Sequence, residues 1–121
     1  MDINLKQAWE TYGNGSHDTI VAMIDTGIDA SHEDLKDTLW VNTDEIPENG
    51  IDDDGNGYVD DCYGWNFYNN NNQIFTGNED SHGTHGAGTI SAGTGNGIGI
   101  SGIVPGTRVR VMALKALGGN D

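Results

Sequence analysis

The run TIVAMID, residues 19 to 25, constrains the fold more than any other stretch. Apolar and β-prone residues lead without interruption into a carboxylate, the pattern of a short strand covered on both faces. An unpaired carboxylate at such a place is costly, so Asp25 needs a partner from elsewhere in the chain. Downstream, THGAGTISAG (84 to 93) reads as a helix packed closely along its small residues, with Gly93 as its stop. TRVRVMALKAL (107 to 117) reads as a second strand. Strand, long insertion, helix, strand is a βαβ order, which predicts an α/β fold with a parallel sheet. Ahead of it, LKQAWETYG (5 to 13) spaces Leu5, Ala8, Trp9 and Tyr12 for a short amphipathic helix that Gly13 ends.

The chain's 121 residues suit one domain, although 19 glycines and an apolar share of 35% make it loop-rich. A net charge of -14 argues against nucleic acid and anionic membranes as partners. No signal peptide or membrane-spanning run is visible, and the single Cys62 excludes an internal disulfide. Between Lys36 and Arg108 there is no Lys or Arg, against eleven Asp or Glu. Such a block must be solvated, disordered or neutralised by a cation. From Asp44 to Asn78 the chain is too polar for regular structure, yet Trp65, Phe67 and Tyr68 make it too aromatic for simple disorder.

Within that block, DDDGNGYVDD (52 to 61) sets Asp52, Asp54 and Asn56 at alternate positions, followed by Gly57, Tyr58 and Asp60. Hard oxygen ligands at positions 1, 3 and 5, a turn glycine at 6, a carbonyl at 7 and a carboxylate at 9 can converge on one cation. With no Cys or His in the loop, calcium suits this set better than zinc. Tyr63 replaces the glutamate that would close an EF-hand, and the flanks do not read as two helices, so the loop is not an EF-hand. A solvated acidic turn is the plainer alternative, at the cost of repulsion among five aspartates.

DSHGTHGAGT (80 to 89) puts His82 and His85 where the helix begins. They could bind zinc with Glu79 or Asp80, although a third ligand at fixed spacing is missing. They could be ordinary polar residues at a helix start. Or His82 could meet Asp25, because strand C-termini and helix N-termini gather along one edge of a parallel α/β sheet. A carboxylate on one imidazole nitrogen fixes the tautomer and frees the other nitrogen as a general base.

Together these residues resemble a family. VAMIDTGID looks like the aspartate motif of subtilisin-like serine proteases (subtilases), HGTHGAGTISA looks like their histidine motif, and the order is theirs. SHEDL and GIGISGIVPGTRVRVMALKAL match the runs that follow the two motifs, so the resemblance extends from about Gln7 to Gly118. It implies a subtilisin-like three-layer α/β fold with a mostly parallel sheet, of which residues 1 to 121 form the N-terminal part of the catalytic domain. It implies a serine endopeptidase acting on protein or peptide substrates, with Asp25 orienting the imidazole, His82 as general base and His85 structural. The stretch NTDEIPENGIDDDGNGYVDDCYGWNF resembles a calcium-binding insertion, placed at about 44–61, with Asp52, Asp54, Asn56, Tyr58 and Asp60 as ligands. Asp34 matches a calcium-ligand position that also needs a loop near residues 94 to 100. A secreted or cell-surface location follows from the resemblance.

Three departures stand out. Gly86 occupies a position where the family has a β-branched residue, and the Pro105–Lys115 segment is about two residues longer than usual. No Gly-Thr-Ser nucleophile motif occurs, so the serine is expected downstream, and the short chain is expected to be inactive and open to self-association. The alternative is a catalytically inactive calcium-binding or structural module on the same scaffold.

Overall fold

The computed structural model describes residues 3–118. In chain order it contains helix α1 (Leu5–Tyr12), strand β1 (Thr19–Asp25), strand β2 (Gly64–Asn66), a 3-10 turn (Asn78–Asp80), helix α2 (Ser81–Ser91) and strand β3 (Val109–Lys115). The strands pair in parallel in the order β1-β3-β2, so β1, α2 and β3 form the expected βαβ unit, with β3 in the centre of the sheet. The register places both Asp25 and Asn66 opposite Lys115. Three strand ends therefore meet at one residue.

Period-two alternation along β3 turns Val111, Ala113 and Lys115 to the buried face. There Val111 and Ala113 pack with Ala87 of α2 and with Ile28, Leu35, Leu39 and Ile74 from the connecting segments. On the other face the β1 side is open in residues 3–118, with Ile20 55% and Ile24 69% exposed, while Trp65 of β2 is buried under Tyr58. Among the described residues β1 is an edge strand with one covered side, whereas its continuous apolar run predicts cover on both faces. Helix α1 lies at the surface and is tied down by the Trp9 indole N–H, which donates to the Ile103 carbonyl at 2.7 Å.

Two further differences have physical causes. Helix α2 starts at Ser81 rather than Thr84, because its cap comes from a distant part of the chain. The Thr26 hydroxyl accepts the Gly83 N–H at 3.0 Å and donates to the Asp80 carbonyl at 3.1 Å, doing what a local N-cap side chain usually does. The helix ends at Ser91, before Gly93, whose N–H is taken by the Asp34 carbonyl. Strand β2 was not expected in so polar a region; its three residues are held by β3 and by a bridge from Asn66 to Asn71.

The two glycines of the first turns of α2 meet different neighbours. A Cβ on Gly83 would run into the Gly27 carbonyl oxygen, a backbone atom, whereas one on Gly86 would meet only the terminal methyl of Met23. Met23 thus fills the space that a β-branched side chain at position 86 would occupy. Gly83→Ala should destabilise the fold by about 1–3 kcal/mol through overpacking. Gly86→Ala should stay within about 1 kcal/mol of neutral, since Met23 can move and alanine favours the helix. Thermal melts of the two variants check this; equal losses would contradict it.

Candidate active site

Asp25 ends β1 and His82 is the second residue of α2, so both stand at the C-terminal edge of the sheet. The His82 Nδ1 lies 2.8 Å from Asp25 Oδ1 and 3.0 Å from Oδ2. Asp25 Oδ1 also accepts the Thr26 N–H at 2.7 Å. Burial resists ionisation of Asp25, but the Thr26 N–H and the His82 ring outweigh it and hold the carboxyl below its ordinary value. The His82 side chain is 80% exposed and that of Asp25 only 15%. With Nδ1–H donated to the carboxylate, the lone pair of Nε2 is left for a proton from a third group.

The zinc reading of the histidines fails on geometry. The Nδ1 of His82 is taken by Asp25, and Asp80 is fully engaged with Lys115 and Thr76. His85 lines a separate cleft with Asp29, His32, Thr84 and Gly88. No serine hydroxyl among the described residues bonds to His82; those of Ser16, Ser31 and Ser91 bond to His17, Asp29 and Thr38.

In the acidic loop, Asp52 accepts the N–H groups of Asn56 and Gly57, and Asp54 accepts those of the Asn56 backbone and the Asn42 and Asn56 amides. The Asn56 side-chain oxygen accepts the Tyr58 N–H. Both carboxylate oxygens of Asp60 accept backbone N–H groups, from Asn49 and Gly50. Beneath the loop sits Glu45, 5% exposed, which accepts the N–H groups of Asp53, Asp54 and Asp60. Carboxylate oxygens of Glu45, Asp52 and Asp54 lie within 4.8 Å of one another. Glu45 escaped sequence reasoning because it precedes the loop by seven residues and carries no motif of its own. The donor set is all oxygen, and none of the ion pairs among the described residues involves the loop, so these residues fit a hard cation.

At the second expected position, Asp34 is buried and pins the 94–100 run: one oxygen accepts the Asn96 amide at 3.0 Å, the other the Ile100 N–H at 2.9 Å. These bonds, the Asn96 amide first, hold its carboxyl below the ordinary value. A depressed value means that the stabilisation is complete above about pH 4 and is lost as pH falls through the folded value. Asp34→Asn should therefore flatten that part of the acid-unfolding curve followed by circular dichroism; an unchanged curve would contradict it.

Among the described residues, no helix is long and apolar enough to cross a membrane. Comparison with known proteins agrees with the geometry. Residues 16–121 match the model of the subtilase family, Peptidase S8. The chain is 49% identical over 86 residues to subtilisin-like protease 1 of Plasmodium vivax, covering 70% of this chain and 13% of that protein. It is 38% identical over 101 residues to the major intracellular serine protease of Bacillus subtilis, covering 84% of this chain and 24% of that protein. An extracellular protease of Xanthomonas campestris is 35% identical over 124 residues, covering 98% of this chain and 21% of that protein. The chain thus spans a quarter or less of the length of these relatives. With the aspartate and histidine motifs in order, joined at one sheet edge, and a family match over most of its length, the chain belongs to the subtilase family.

Proposed function

We propose that this chain supplies the orienting carboxylate, Asp25, and the general base, His82, of a serine endopeptidase whose nucleophilic serine comes from polypeptide beyond residue 121. The observation that carries this reading is the 2.8 Å contact between His82 Nδ1 and Asp25, beneath an imidazole that is otherwise exposed. In the reaction the serine hydroxyl attacks the peptide carbonyl while its proton passes to His82 Nε2. The imidazolium, stabilised by ionised Asp25, then returns that proton to the leaving amine. Among the described residues none bonds to Nε2, and the short chain is inert alone.

The same reading gives the acidic insertion at about 44–61 a calcium ion, held by Asp52, Asp54, Asn56, the Tyr58 carbonyl and Asp60, with Glu45 added to the set. Its support is the convergence of the Glu45, Asp52 and Asp54 carboxylates. Asp60 would join by releasing its bonds to Asn49 and Gly50. Calcium there neutralises charge and stiffens the insertion. Protein or peptide substrates belong to this reading, as does a secreted or cell-surface location, which the name of the extracellular Xanthomonas protease supports and that of the intracellular Bacillus protease does not. The open face of β1 supports self-association of the short chain.

The test compares residues 1–121 with the complete protein on casein. Cleavage by the complete protein and none by the short chain is the expected result. Cleavage by the short chain would place the nucleophile within it, and an inert complete protein would favour the inactive calcium-binding module.

A further inference from the structure

Lys115 is the least expected buried residue of the molecule. It ends β3 with 1% exposure, and Asp80, with 0%, lies against it. The Lys115 ammonium donates to Asp80 Oδ1 at 2.9 Å, to the Thr26 carbonyl at 2.7 Å and to the Leu117 carbonyl at 2.8 Å, so all three of its hydrogens are spent. The other oxygen of Asp80 accepts the Thr76 N–H and hydroxyl, each at 2.7 Å. Every polar atom of the pair is satisfied.

The partners of this ammonium are not arbitrary. Thr26 follows Asp25, and Asp80 precedes His82 by two residues. Lys115 is itself the register partner of Asp25, whose carbonyl accepts the Ala116 N–H at 2.9 Å. One buried cation thus clips the end of β1 to the start of α2, and the Thr26 hydroxyl adds a second clip between the same segments. The His82 ring, by contrast, is largely exposed and has one side-chain partner, Asp25. Packing does not fix its position, so its backbone must. A buried ion pair is weak evidence for added stability, because desolvation offsets most of its attraction. Its value here lies in geometry.

Resting on the reading of Asp25 and His82 given above, we infer that the buried Lys115–Asp80 pair is a positioning device that holds the His82 imidazole in register with Asp25. Neither residue touches substrate. They act through the backbone of residues 25–26 and 80–83.

The test uses the complete protein. Lys115→Met alone leaves a buried, unpaired Asp80 and should destabilise the fold. The double variant Lys115→Met, Asp80→Asn removes both charges and should recover much of the melting temperature without restoring the clip. In it, kcat should fall about tenfold or more while KM stays within about twofold, the pattern of a misplaced catalytic group. The downfield proton resonance of the His82 Nδ1–H should broaden or vanish, which a purely structural role would not require. Asp80→Asn alone, nearly isosteric, keeps an oxygen for the Lys115 ammonium but leaves its charge uncompensated and cannot serve both Lys115 and the Thr76 N–H; it should also lower the melting temperature, with a loss of kcat in the same direction. Wild-type kcat and an unchanged Nδ1–H resonance in the double variant, or in Asp80→Asn if the double variant does not fold, would overturn the inference. If instead Asp25→Asn and His82→Ala themselves leave activity intact, the underlying reading fails, whatever the pair does.

Discussion

In the complete protein, His82→Ala should lower kcat by several powers of ten, and Asp25→Asn should do nearly the same. The reason lies in the contact between the two side chains. Asp25 holds Nδ1–H, and only that tautomer presents a basic Nε2 to a serine. An asparagine at position 25 can offer its amide N–H to Nδ1, which stabilises the opposite tautomer and points N–H at the nucleophile. The fold should survive, since Thr26 and Lys115 keep their other bonds. Triad members act as a unit, so the double variant should be little worse than either single one. Steady-state kinetics on a peptide ester, with circular dichroism as the folding control, makes the measurement. Full activity in folded His82→Ala would identify a different base.

Calcium should give the next largest effect. An ion that binds only the folded state at about a hundred times its dissociation constant adds about 2.7 kcal/mol. For a domain of this size that corresponds to a rise in melting temperature on the order of 10 °C. The cost of holding Glu45, Asp52 and Asp54 together without a cation makes the chelated protein the weaker one. Asp52→Asn with Asp54→Asn should remove most of the calcium-dependent rise. Equal melting temperatures with calcium and with chelator would exclude the site.

Much of the site was legible because its signals are local. A β-rich run ending in Asp25 and a histidine opening a helix need only the sheet-edge rule to be brought together. What escaped depends on contacts across the chain. The start of α2 is set by Thr26, 55 residues before Ser81; Asp80 stands at the N-cap, but its side chain is spent on Lys115 and Thr76 instead of on the helix. Strand β2 has three residues and exists because β3 lies beside it. Glu45 and Lys115 look like solvent-facing charges in sequence; only the closed loop and the three converging strand ends bury them. At Gly86 the sequence shows only a missing branched side chain; that Met23 fills the space is a contact between β1 and α2.

The most direct test is the structure of the complete protein trapped with a serine-directed peptidyl phosphonate. The expected adduct is on a serine beyond residue 121, with its Oγ about 3 Å from His82 Nε2 while Nδ1 keeps its 2.8 Å contact with Asp25. An adduct on a serine remote from His82, or a His82 ring turned away from Asp25 in the trapped enzyme, would contradict the account.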